Sequence, residues 1–347
     1  MKLGLMTHFF GDANLRIPME RIKRAEELGY DSVWTAETYG ADAITPLAFI
    51  GAHTKRIRVG TAIAQLAART PANLAMCAQT IDAMIGEGRV MIGIGVSGPQ
   101  IVEGWYGQPW GKPNHRLRDY VAIMKKILKR EGPVTHEGRE ISLPYPKDAP
   151  GSSGLGKPLK SILHGNANIP ILLGTGTPTN IRMTAEIADG WVSGNKWVPG
   201  RQDYYRPIIE EGLAKRKDGK TWKDFLIYGS VGIHINKDVK AAFAALKPMI
   251  ALYVGGMGAK QMNFHKDNMV NRGFGEAAER IQELFLAKKK DEAIAAVPDE
   301  FVDSGALIGP PERIRERWKL WADCGLSHIK LTNADDEAME LMAKIAL

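Results

Sequence analysis

The sequence predicts a (β/α)8 barrel, and three observations carry that reading. Short apolar strands alternate with amphipathic helices along the whole chain. One junction recurs, in which a helix is closed by glycine and followed at once by a β-branched run. The first strand runs into His8-Phe9-Phe10-Gly11, which is not the glycine-rich fingerprint expected of an open doubly wound sheet.

The elements follow in order. Met19, Ile22, Ala25 and Leu28 share one helical face, and Gly29 can end that helix in the left-handed conformation. Strands are predicted at 2–7, 31–36, 57–63, 89–95, 170–174, 190–193, 225–235 and 327–332. Thr45-Pro46, Thr70-Pro71 and Thr177-Pro178 each set a capping hydroxyl before a proline suited to the first helical turn. The whole chain, 1–347, is read as one barrel domain with insertions at about 131–169 and 253–310. Both insertions are candidate lids or substrate walls at the C-terminal face, or inert surface elaborations. In the second, Gly255-Gly256-Met257-Gly258 offers hinge freedom, and Phe264 and His265 offer an apolar wall with a polar group.

Composition narrows the function classes. With 44% hydrophobic and 24% charged residues, the chain has the profile of an ordinary folded soluble protein. The N-terminus lacks the pattern of a signal peptide, and no stretch is expected to reach the roughly 18 apolar residues that span a bilayer. A cytoplasmic location follows, with Cys77 and Cys324 as buried thiols and no metal-ligand spacing. The net charge of +7 is dispersed, apart from Lys215-Arg216-Lys217 and Lys288-Lys289-Lys290. These read as solvated helix ends and not as a nucleic-acid surface, although a basic surface suits an anionic ligand.

In a barrel, function sits at the C-terminal ends of the strands. Those positions hold His8 after the first strand, Glu37, Thr38 and Tyr39 with Asp42 after the second, and Ala62, Ile63 and Gln65 at the third. The fourth ends in Val96, Ser97 and Gly98, followed by Glu103, Trp105 and Tyr106, and the fifth in Gly174, Thr175, Gly176 and Thr177. The fifth has the clearest chemistry: a glycine-rich turn entering a helix presents free N–H groups and a positive dipole end to an anion. The same composition also suits an ordinary strand-to-helix turn. Gly93, Gly95 and Gly98 permit close approach of a flat ligand, or close packing at the barrel mouth. Glu37 needs a partner if buried, whether in chemistry or in holding a backbone amide or arginine. His8 is a candidate proton donor or a simply hydrogen-bonded histidine, and Trp105, Tyr106, Trp110 and Trp197 are candidate walls for an aromatic cofactor or packing residues. No triad, Walker loop or Schiff-base signature stands out, which suits a site where a cofactor carries the chemistry.

Several motifs together resemble the luciferase-like monooxygenase family. They are Arg69-Thr70-Pro71 with the following helix, the run Gly88-Arg89-Val90-Met91-Ile92-Gly93-Ile94-Gly95, the strand Leu28 to Glu37, and the stretch Ile169 to Val192. The segment Val96 to Gly107 is similar to the branch that uses the deazaflavin coenzyme F420. The resemblance implies a homodimeric barrel binding that cofactor across strands two to five. It implies a cis peptide at Ala62-Ile63 bulging against the tricycle, the cofactor phosphate at Gly176-Thr177, and ring-edge contacts near Glu37, Val96 and Ser97. The glucose-6-phosphate dehydrogenases of the family carry a histidine and a glutamate where this chain has Thr38 and Gly98. That departure argues against glucose 6-phosphate as substrate, and Glu103 does not stand in the glutamate's place.

The expected function is therefore hydride transfer between the deazaflavin and a small organic substrate. His8, Glu37 or Thr38 would serve the proton in a pocket closed by Trp105 and residues 253–270. The nearest alternative is an FMN-dependent monooxygenase using reduced flavin and oxygen. A cofactor-free barrel lyase would need a catalytic lysine, for which Lys330 is the candidate, and a barrel that only binds a ligand is the remaining class.

Overall fold

A computed structural model describes residues 1–7, 13–257 and 263–347. The chain divides into two compact units, one of residues 4–192 and 208–227, the other of 1–3, 193–207 and 228–347.

The first unit alternates strand and helix: β1 (Lys2–Met6), α1 (Met19–Glu27), β2 (Ser32–Thr35), α2 (Thr45–Ala52), β3 (Arg58–Gln65) and α3 (Pro71–Ile85). It continues with β4 (Val90–Gly95), α4 (Pro99–Gly104), α5 (Pro113–Lys129), β5 (Ile171–Gly174), α6 (Pro178–Ile187) and β6 (Gly190–Gly194). Each strand pairs in parallel with the next. Such pairs need crossover connections, and the amphipathic helices supply them. Gly29 takes a φ of 89° directly after α1, whose Ile22 and Ala25 face the core. Trp34 lies fully buried on β2 because its neighbours lack side chains: a Cβ on Gly60 would meet its ring at 2.6 Å, and one on Gly4 its Nε1 at 2.9 Å.

The chain continues through α7 (Gln202–Leu213) into the second unit: β7 (Leu226–Ile235), α8 (Val239–Gly256), α9 (Phe264–Asn271), α10 (Gly275–Leu286), α11 (Lys290–Ala295), α12 (Asp299–Ser304), β8 (Ala306–Gly309), α13 (Pro311–Ala322), β9 (His328–Thr332) and α14 (Asp336–Ala346). Both β8 and β9 pair in parallel with β7. The strand order is β6-β5-β4-β3-β2-β1-β9-β7-β8, with a further β6–β7 pairing, which is the order of a (β/α)8 barrel carrying one extra strand. The eight strands expected from the sequence are present within two residues at each end. The extra strand, β8, falls inside the stretch read as insertion. At four apolar residues it is too short to show a period.

Several local expectations need correction. Thr70 and Thr177 cap α3 and α6, but α2 includes Thr45, and the Asp42 carboxylate caps it by accepting from the Ile44 and Thr45 amides, both at 2.8 Å. Arg216 is not a solvated helix end. Its buried guanidinium donates to the carbonyls of Ala185 and Ala188. Cys77 is half-buried, whereas Cys324 is buried, and both thiols are free. Gly255 and Gly256 form the last turn of α8 and lie under Phe285, so close packing replaces the expected hinge, while Gly258 lies outside the described residues. Finally, α8 is by length and composition apolar enough to cross a membrane. In this fold it buries Ala242, Phe243, Ala251 and Val254 in a cluster with Met269, Ile281, Leu284 and Phe301, and its Lys247 pairs with Asp299 at 2.6 Å.

The glycines of β4 answer the alternatives left open for them. A Cβ on Gly93 would meet the Thr61 carbonyl oxygen at 2.2 Å, and one on Gly95 would meet Ile63 Cγ1 at 2.8 Å. Both are therefore packing positions. Gly95→Ala is expected to destabilise the protein by about 1–3 kcal/mol in urea unfolding, and combination with Ile63→Ala should be markedly less than additive. Gly93→Ala meets backbone, so no side-chain truncation should relieve it. Additive behaviour of the Gly95 and Ile63 pair would refute this packing account.

Candidate functional site

The C-terminal ends of β2 and β3 are joined through one buried carboxylate. Glu37 Oε2 accepts from the Ala43 amide at 2.8 Å, while Oε1 accepts from the Gln65 amide at 2.6 Å and from Arg69 Nη1 at 2.8 Å. Arg69 Nη2 reaches Asp42 Oδ1 at 3.1 Å, and the Arg69 carbonyl accepts from the Tyr120 hydroxyl at 2.9 Å. Burying a carboxylate is costly unless it is both paired and hydrogen-bonded, and here it is both. Burial opposes the charge on Arg69, but the hydrogen bond and charge of Glu37, with Asp42, outweigh it and hold the guanidinium above its ordinary value. Burial likewise opposes the Asp42 carboxylate, yet the Thr45 and Ile44 amides and Arg69 hold it below the usual range.

Beyond Glu37, β3 carries a bulge. The Ala62-Ile63 peptide is cis, and the register with β4 shifts between Thr61 and Ala64. The Ile63 side chain lies against Gly95 and Gly174, where a Cβ would meet its Cγ2 at 2.7 Å in the second case. Gln65 then links the two strand ends, with Nε2 donating to the Val96 carbonyl at 3.0 Å and Oε1 accepting from the Ala67 amide at 2.8 Å. Ser97 adopts a left-handed φ of 53°, and Gly98 precedes α4. The structure thus brings Glu37, Ala62, Ile63, Gln65, Val96 and Ser97 to one group of strand ends.

The turn from β5 to α6 has the anion geometry in its backbone more than in its hydroxyls. Thr184 Oγ1 donates to the Asn180 carbonyl at 2.8 Å, so the 2.8 Å contact between the two hydroxyls requires Thr175 to donate to Thr184. Thr175 is therefore turned inward, with its carbonyl accepting from Trp191 Nε1 at 3.0 Å. Thr177 Oγ1 accepts from the Asn180 amide at 3.3 Å, which leaves its O–H proton to donate outward. Thr177 is exposed and Gly176 half-buried at the helix start, where N–H groups lack intrahelical acceptors. The donor set fits a phosphate.

Around these strand ends, Tyr39 and Trp105 are exposed with ring centroids 6.3 Å apart, and the Tyr106 hydroxyl donates to the Thr38 carbonyl at 3.2 Å. Trp110 lines a small cavity with Gln65 and Val96. Trp197, expected as a cofactor wall, is instead buried in the second unit, donating to the Cys324 carbonyl at 2.7 Å and stacked on Tyr205. His8 lies outside the described residues. Lys330, the candidate for a lyase, is buried near the Tyr228 ring, and burial pushes its ammonium down to about 7. The sequence reading missed Arg69 as the partner of Glu37. Its place, just beyond β3 and before the Thr70 cap, was the available signal.

Fold and strand ends together define a (β/α)8 barrel in which the β5–α6 turn presents outward donors at a helix start. Comparison with known proteins narrows the class. Residues 1–328 match the family described as luciferase-like monooxygenase. A Mycobacterium tuberculosis protein described as "Putative coenzyme F420-dependent oxidoreductase" is 40% identical over 346 residues, covering 99% of both chains. Among solved structures, the coenzyme F420-dependent tetrahydromethanopterin reductase of Methanopyrus kandleri superposes with a TM-score of 0.73 at 21% identity, covering 99% of this chain and 97% of its own. The oxygenating constituent of a Pseudomonas putida 3,6-diketocamphane monooxygenase, in complex with FMN, gives 0.66 at 18% identity, covering 99% and 97%. The chain belongs to the luciferase-like monooxygenase family.

Arg69→Leu is expected to cost about 3–5 kcal/mol in thermal or urea unfolding, because it leaves the Glu37 carboxylate buried without its cation. Adding Glu37→Gln should recover part of that loss. If Arg69→Leu unfolds like the native protein, the carboxylate does not depend on this pair.

Proposed function

We propose that this protein is a coenzyme F420-dependent oxidoreductase, moving a hydride between the deazaflavin and a small organic substrate. The observation that carries the reading is the full-length likeness, at 40% identity, to a relative described in those terms. The β5–α6 turn supports it by offering donors for a phosphate. When bound, the deazaflavin supplies the hydride donor or acceptor. The chain's own part is to hold and orient. Gly176 and Thr177 take the phosphate, the Ile63 bulge braces one ring face, and Glu37, Val96, Ser97 and Gly98 border the ring edge. Every described contact of the Glu37 carboxylate receives an amide or guanidinium proton. We therefore give Glu37 a positioning role and leave proton transfer to His8 or Thr38.

An FMN-dependent monooxygenase is the second reading, favoured by the FMN-bound neighbour. Paired titrations of the two cofactors at low and high ionic strength separate them. The deazaflavin carries a polyanionic tail in addition to its phosphate, and charges on a +7 surface are screened within about 8–10 Å at ordinary salt. Deazaflavin should bind more tightly and lose more affinity as salt rises, and Gly176→Asp should weaken it at least tenfold. Equal or tighter FMN binding at both salts decides for the monooxygenase.

We place the enzyme in the cytoplasm, in keeping with its two free thiols, as a homodimer. The dimer face we assign is a groove of about 700 Å³ between α3, α5 and the 131–169 segment, lined by Met76, Leu143, Leu159, Ile162 and Leu163. Ile162 is 92% exposed there, and apolar surface so concentrated suits a partner. The Asp119 carboxylate holds the segment by accepting from the Glu140 and Ile141 amides at 2.8 and 3.0 Å. Ile162→Asp should shift the mass in sedimentation toward the monomer. An unchanged mass would remove this face from the assembly.

A further inference from the structure

Helix α8 is apolar on both of its faces, although it packs against the second unit with only one. Ala242, Phe243, Ala251 and Val254 face the core of that unit. On the opposite side Ala241, Ala244, Ala245, Pro248, Met249 and Leu252 are exposed, at the three- and four-residue spacing that sets them in one stripe. Met249 is 57% exposed. The stripe runs on to Gly256, where the Phe285 ring of α10 lies close, and Leu286 next to Phe285 is 51% exposed. A surface helix ordinarily turns polar and charged residues to water. Here about four turns of helix turn none, so water meets a continuous apolar strip.

Cations stand at both ends of this strip. Lys237 and Lys240 flank the start of α8, and Lys288, Lys289 and Lys290 follow Phe285, which packs on the last turn of α8. Lys290 Nζ lies 5.9 Å from the centroid of that ring, which keeps it at the same end. The carboxylates on adjoining turns are largely engaged. Asp238 caps α8 by accepting from the Ala241 amide at 3.0 Å, Glu292 pairs with Lys289 at 3.1 Å, and Glu283 lies 3.9 Å from Arg280, which leaves Asp291 exposed. Among the described residues, Lys237, Lys240, Lys288 and Lys290 have no carboxylate within ion-pair distance, and all four are exposed.

This charge pattern selects the occupant. A second copy of α8 would meet the strip either parallel or antiparallel. Parallel pairing sets Lys240 against Lys240, and antiparallel pairing sets Lys237 and Lys240 against Lys288 and Lys290. Both bring like charges together, which opposes association. An anionic lipid surface satisfies both features at once. Its acyl boundary accepts Pro248, Met249 and Leu252, and its headgroup phosphates accept the lysines at either end. Long lysine stems stay with apolar surface while their ammonium groups reach the phosphates.

We propose that the exposed face of α8 docks this protein on a membrane surface rich in anionic lipid. The helix lies in the plane of the interface and does not cross the bilayer, because its other face is committed to the core of the second unit. The assignment depends neither on the identity of the redox cofactor nor on the dimer groove.

Flotation of the full chain with lipid vesicles tests this, using equal parts of phosphatidylglycerol and phosphatidylcholine against phosphatidylcholine alone. The native protein should float with the mixed vesicles and at least fivefold less with phosphatidylcholine. That difference should shrink as salt rises, since exposed charges are screened within about 8–10 Å at ordinary ionic strength. Met249→Glu with Leu252→Glu should weaken flotation at least tenfold. Lys240→Gln with Lys288→Gln and Lys290→Gln should weaken it at least fivefold. Thermal melts should stay close to native in both, because all five side chains are exposed. Failure of the native protein to float with the mixed vesicles overturns the proposal, as does unchanged flotation of the folded Met249→Glu, Leu252→Glu protein. Sedimentation of that same variant separates the other occupant: a mass below the native value assigns the face to a second copy and overturns the lipid surface.

Discussion

A carboxylate that must be paired where it is buried organises the candidate site. Glu37 accepts from Ala43, from Gln65 and from Arg69, so one side chain sets the exit of β2, the exit of β3 and the approach to α3. Each of these segments leaves regular structure at that point, and each would otherwise have an amide or guanidinium without an acceptor. Asp42 extends the same logic by capping α2 while holding the other edge of Arg69. The ends of β2 and β3 are thus held by this carboxylate in addition to the ladder, in which Gln65 pairs with Gly95 and the Glu37 amide donates to the Ile63 carbonyl at 3.2 Å.

Space is the second constraint. The bulge in β3 puts Ile63 against β4 and β5, and glycine at 95 and 174 leaves room for it. A glycine-lined barrel mouth therefore need not mean that a ligand touches backbone there. In this protein the glycines first accommodate a neighbouring side chain. A similar distinction holds at the β5–α6 turn, where Thr175 serves the interior through Thr184 and only the helix start faces outward.

Both units match cations with carboxylates. In the first, cations near the site are matched: Arg69 by Glu37 and Asp42, and Arg116 by Glu140. In the second, Lys247 is matched by Asp299, Lys266 by Glu279, and Arg313 and Arg317 by Asp303. Matched charges of this kind hold a scaffold.

The sequence by itself determined the barrel, the position of its eight staves and the strand ends at which to look. Those follow from hydrophobic period, from glycine such as Gly29 after a helix and from caps such as Thr70 and Thr177, all of which act over a few neighbouring residues. Family resemblance added the cis bond at Ala62-Ile63, which no periodicity reveals. What only the tertiary structure decided are pairings between residues far apart in the chain. Arg69 for Glu37, Ile63 over Gly95 and Gly174, and Thr184 turning Thr175 inward all depend on where distant segments meet. A local pattern shows that Glu37 needs a partner, but the geometry of the folded chain chooses which one, because hydrogen bonds and packing act over a few ångströms of space irrespective of sequence separation.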